Sequence, residues 1–112
     1  MRKHAILLAI LLAGCTTTKE AQQAINTKWQ GKNLDEFTAR YGPVKPMQLD
    51  SGQIANRWQH DIALENAFGP IMRTCVIDIF AAEDKTITGI HIIHETPGIW
   101  DNSMCNEIFS QD

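Results

Sequence analysis

The 112-residue sequence has no apolar run long enough to cross a bilayer, no block of basic residues and only three cysteines. A membrane-spanning helix needs roughly 20 apolar residues, and the longest uninterrupted apolar stretch is residues 5–13. Lys and Arg number 10 against 13 Asp and Glu, a formal charge of −3. The concentrated basic surface that binds nucleic acid is therefore missing, and nucleic acid is not expected as a partner. The phosphate cradles G-x-x-x-x-G-K-[ST] and G-x-G-x-x-G are absent, as is the G-x-S-x-G nucleophile elbow around Ser51, Ser103 or Ser110. Neighbouring acids, Asp35-Glu36 and Glu83-Asp84, fall at a helix start and a polar turn, where capping and solvation account for them. No enzyme activity and no cofactor are expected.

What is there begins at the amino terminus. Met1-Arg2-Lys3-His4 is positive, residues 5–13 are apolar, and Gly14-Cys15 follows. That order is a secretory signal, too short for a span and unrelated to the fold. Leu12-Ala13-Gly14-Cys15 matches the L-[AS]-[GA]-C lipobox and so resembles the bacterial lipoproteins. The resemblance implies cleavage before Cys15, a diacylglycerol thioether on its sulfur and an acylated new amino terminus. Two or more chains anchor a protein stably where one holds it only marginally. Thr16 rather than Asp after the cysteine implies the outer membrane, with the domain facing the periplasm. Residues 1–14 are thus read as signal peptide, 15–18 as a lipidated tether and 19–112 as one domain. Loss of Arg2 and Lys3 leaves eight Lys and Arg against 13 acids, a charge of −5.

With Cys15 assigned to lipid, Cys75 and Cys105 remain. An exported pair allows one connectivity, and the expectation is a structural Cys75–Cys105 disulfide rather than a C-x-x-C redox pair.

Hydrophobic periodicity gives the elements. Residues 19–30 lack breakers and set Ile25 and Trp29 on one face, with Gly31 just past the end. Asn33 and Glu36 form a capping-box pattern for a second helix with Leu34, Phe37 and Tyr41 on its apolar face, ended by Gly42-Pro43. Period two then takes over. One strand carries Ile54, Trp58 and Ile62; residues 65–70 read as a connection; a second strand sets Cys75, Ile77, Ile79 and Ala81 against Thr74, Val76, Asp78 and Phe80. A polar turn at residues 82–85 leads into a third strand over 86–94, and the tail is irregular or briefly helical. The expected fold is α+β, two amino-terminal helices on a three-stranded antiparallel meander, with one disulfide.

Among candidate site residues, His91 and His94 lie three apart on a strand and are expected on opposite faces, which argues against a shared metal; a cross-strand site including His60 is the alternative arrangement. No metal is expected. Trp29 and Trp58 fall on apolar faces and read as core. Trp100, beside Ile99 in an irregular segment, is the candidate interface anchor.

Gly31-Lys32-Asn33-Leu34-Asp35-Glu36-Phe37, the Tyr41-Gly42-Pro43 stop and Trp58 in a strand are similar to the small SmpA/OmlA lipoproteins, the BamE-like group. That resemblance, covering residues 31–90, implies a BamE- or BLIP-like two-layer sandwich and an accessory role in outer-membrane β-barrel assembly. The chain departs from the group at Phe80-Ala81-Ala82-Glu83-Asp84, where a Phe-Asp-x-x-Gly turn is usual, and in its cysteine pair. The leading expectation is a non-enzymatic adaptor or structural subunit of an envelope complex. The alternative is an inhibitor, immunity or surface-exclusion lipoprotein that binds a periplasmic enzyme or toxin.

Cys15→Ala is predicted to move the protein from the membrane pellet to the soluble fraction on cell fractionation; unchanged sedimentation with membranes would refute the lipobox assignment.

Overall fold

The computed structural model describes residues 18–96 and 103–110. Helix α1 (Thr18–Trp29) and helix α2 (Leu34–Tyr41) precede strands β1 (Lys45–Gln48), β2 (Ile54–Asn66), β3 (Gly69–Ala81) and β4 (Ile87–Glu95), and a short helix α3 (Met104–Phe109) closes the described chain. The strands form one antiparallel sheet in the order β1-β2-β3-β4. The fold is α+β as expected, with two corrections. The sheet has four strands rather than three, and β2 and β3 run on through residues 65–70; the tail, expected to be irregular or briefly helical, carries the short α3.

The additional strand is Lys45-Pro46-Met47-Gln48, paired with β2 from Lys45↔Arg57 to Gln48↔Ile54. Four residues containing proline carry almost no periodic signal, and the pairing exists only because β2 lies alongside. The second correction concerns residues 65–70. Instead of a long connection, β2 continues to Asn66 and β3 starts at Gly69, leaving a two-residue turn at Ala67 and Phe68. Gly69 takes φ +113°, a conformation closed to most side chains. Pro70 is tolerated because its nitrogen points away from β2, so no ladder bond is lost.

The helices occupy one face of the sheet. Phe37, Cys75, Ile77, Ile79, Ile87 and Ile90 are fully buried there, together with Trp29, Trp58 and Phe109. Phe37 lies at the middle of an aromatic cluster, with ring centroids 5.1 Å from Trp29, 5.0 Å from Tyr41, 6.0 Å from Trp58 and 5.8 Å from Phe109. Trp58 Nε1 donates to the Tyr41 carbonyl at 2.9 Å, so the indole's polar end is satisfied inside the core. Both Trp29 and Trp58 are core residues, as their spacing indicated.

Local chemistry sets the element ends. Asn33 accepts from the Asp35 N–H at 2.8 Å and caps α2. The residues linking α1 and α2 are tied to the sheet, because the Gly31 N–H donates to the Ile87 carbonyl and the Ile87 N–H to the Lys32 carbonyl, both at 2.8 Å. In the turn before β4, hydrogen bonds from Thr86 hold the Asp84 carboxyl below the usual carboxylate range. A depressed carboxylate favours the fold above its unfolded pKa, a contribution lost as pH falls through the folded value.

Cys75 and Cys105 form the expected disulfide, with Cα atoms 5.3 Å apart, joining β3 to α3. Glu95 secures the same helix: its Oε1 accepts from the Ser103 hydroxyl at 2.6 Å and the Cys105 N–H at 3.0 Å, placing a negative charge at the helix start. The loop closed by the bridge spans 30 residues. Cys75→Ser with Cys105→Ser is predicted to lower unfolding free energy by about 3–4 kcal/mol, measured by urea titration under non-reducing conditions.

Candidate interaction site

Two surfaces lie away from the helix layer: the open face of the sheet, and an arm formed by the distal half of the β2–β3 hairpin.

On the open face, register aligns one residue from each strand. Lys45 pairs with Arg57, Arg57 with Asp78 and Asp78 with His91. Paired residues in an antiparallel sheet share a face, so these four form a row across it. Arg57 meets Asp78 with two parallel bonds, Nε to Oδ1 at 2.7 Å and Nη2 to Oδ2 at 2.9 Å. The Asp78 side chain is 2% exposed and that of Arg57 30%. The hydrogen bond to Asp78 raises the Arg57 pKa, assisted by the opposite charge and opposed by desolvation. Around this pair Leu49, Gln53, Phe80, His91 and Ile93 line a shallow groove of about 640 Å³.

A bulge in β4 overturns one expectation about the histidines. Asp78 pairs with His91, whereas Val76 pairs with His94, because the register shifts between Val76 and Ile77. His91 and His94 therefore share the open face rather than pointing apart. His60 is on the other face, stacked on Trp58 at 5.8 Å between ring centroids. Among the described residues, no group of three or more His, Cys, Asp or Glu side chains is placed to hold a metal ion.

The arm comprises the pairs from Asp61↔Thr74 to Asn66↔Gly69. Ile62 still packs against the core, and Arg73 Nη1 bonds Glu107 of α3 at 3.0 Å, bracing the arm at its root. Beyond them apolar side chains meet solvent: Phe68 is 99% exposed, Met72 62% and Ile71 45%. Phe68 sits in the turn, and Ile71 and Met72, adjacent on β3, lie on opposite faces of the ribbon, so the arm carries exposed apolar side chains on both faces.

Of the site residues read from the sequence, Cys75 and Cys105 are brought together. Cys15, Ile99 and Trp100 lie outside the described residues. The arm is not legible in the sequence because residues 65–70 look like a loop, and the turn residues Ala67 and Phe68 are not of the types that mark a two-residue hairpin. The alternation puts Arg57 on the face opposite to Trp58 and Asp78 on the face opposite to Ile77 and Ile79 on their strands, but the pairing of the two depends on register, which neither strand's own pattern contains.

Searches of protein-family models, of curated proteins and of solved structures found no match to this chain. Among the described residues, no helix is long and apolar enough to cross a membrane.

Removing the cation leaves Asp78 buried without its partner. Arg57→Ala is predicted to cost on the order of 2–4 kcal/mol, discounted because Arg57 is partly exposed. Arg57→Met combined with Asp78→Leu should recover much of that loss in chemical denaturation, since it removes both charges together.

Proposed function

We propose that the protein is an outer-membrane-anchored periplasmic lipoprotein that works without catalysis, as an adaptor or structural subunit of an envelope complex. The observation that carries this reading is the exposed apolar arm bearing Phe68, Ile71 and Met72. It belongs to a chain whose residues 12–15 are a lipobox, with α1 starting three residues after Cys15. Acyl chains on Cys15 hold the domain within a short reach of the membrane surface. Held there, it meets membrane-embedded or membrane-associated proteins far more often than a freely diffusing domain would. The arm supplies apolar area for contact, and its bracing by Arg73 and Glu107 reduces the ordering needed on binding. The likeness to the BamE-like group supports the same direction, a small lipidated domain serving a larger assembly.

Crosslinking in cells at native expression, followed by mass spectrometry, tests the reading. Recovery of envelope-complex subunits is expected. Phe68→Ser with Met72→Ser should reduce that recovery about tenfold while changing stability by roughly 0.5 kcal/mol or less, as for exposed positions. Recovery of one soluble enzyme or toxin instead would favour the inhibitor reading.

A further inference from the structure

The sheet treats its edges unequally. At β4 the outward groups are covered by α1: Asn26 Oδ1 accepts from the Ile90 N–H at 2.9 Å, Gln22 Oε1 accepts from the Ile92 N–H at 2.6 Å, and Gln22 Nε2 donates to the Ile90 carbonyl. At β1 the strand is only four residues long and carries Lys45 and Pro46, two devices that discourage further pairing. β1 in turn covers β2, but only from Ile54 to Arg57. The distal part of β3 is blunted as well, by Pro70 and by Thr96, which bonds both the N–H and the carbonyl of Thr74.

The outer edge of β2 beyond Arg57 has none of this. Among the described residues no strand pairs with it. Its polarity follows from bonds elsewhere in the ladder. Thr74 turns its backbone groups toward Thr96 and away from β2, so its partner Asp61 turns its own groups away from β3. Gln59, Ala63 and Glu65 share that alternation with Arg57 and Ala55, whose outward groups face Lys45 and Met47 of β1. Four successive outward residues thus present N–H and C=O groups to solvent. Their side chains include Asp61 and Glu65, both exposed.

We infer that the β2 edge from Gln59 to Glu65 is a strand-addition site for an extended segment of a partner protein with Lys or Arg at alternate positions. This rests on the adaptor reading and names the chemistry of its partner. Main-chain bonds give such a contact its affinity, and alternating side chains give it selectivity. The acidic edge also bears on a second copy of this chain. Pairing two β2 edges brings Asp61 and Glu65 of both chains, four carboxylates, into one short ribbon, which like-charge repulsion disfavours. A basic strand meets the same edge with opposite charge.

The test uses the lipidated protein in detergent micelles and two fluorescent ten-residue probe peptides, one alternating valine with lysine and one alternating valine with glutamate. Saturable binding of the lysine peptide is expected by anisotropy, with the glutamate peptide at least about tenfold weaker. Ala63→Pro removes an outward N–H without touching the β2–β3 ladder and should weaken lysine-peptide binding by about tenfold or more. Amide exchange at Gln59, Asp61, Ala63 and Glu65 should slow on binding, while His60 and Ile62, already bonded to β3, should change little. Asp61→Lys with Glu65→Lys is an independent variant that should reverse the preference between the peptides. Absence of binding, equal binding of both peptides, or binding unaffected by Ala63→Pro in a protein that retains slow exchange at Ile77 and Ile79 would overturn the strand-addition site. In-cell crosslinking without any envelope protein would count against the adaptor reading, whatever the peptides do.

Discussion

The structure depends on the alternation of side chains along β3. Its odd-numbered residues Cys75, Ile77 and Ile79 are fully buried against the helices, and its even-numbered residues Val76, Asp78 and Phe80 form the middle of the open face. A slip of one residue would exchange the two sets, driving Asp78 into the aromatic core and Cys75 away from Cys105. Register is therefore fixed from both sides. Apolar packing and the disulfide hold one face, and the Arg57–Asp78 pair holds the other.

Around that strand the remaining elements solve the problem of edges. The side-chain amides of Gln22 and Asn26 make α1 a cover for β4 as well as a source of core residues. β1 covers only the proximal part of β2. The hairpin continues past both covers as an arm, so its apolar side chains and its acidic main-chain edge lie on the same projecting element. Among the described residues, no strand pairs with the β2 edge beyond Arg57.

Much of the fold was legible in the chain because it rests on local periodicity. Asn33 as a cap, Phe37 and Tyr41 on one helical face, Trp29 and Trp58 in the core, and the Cys75–Cys105 bridge all follow from spacing, turn chemistry or cysteine count. What escaped reading has a common cause. β1 is defined by its neighbour, the length of the hairpin by the pairing of Glu65 with Pro70, and the shared face of His91 and His94 by a bulge that no two-residue period foretells.

The sequence by itself determined where the chain alternates and where helices start and stop, since each is a property of neighbouring residues, and the likeness of residues 12–15 to a lipobox led to the expectation that Cys75 and Cys105 pair. Tertiary structure alone decided which polar side chains meet across strands, which stretch of backbone remains unpaired and which apolar residues stay in solvent. Those properties depend on register and on the placement of covering elements, and both arise only when segments distant in the chain pack together.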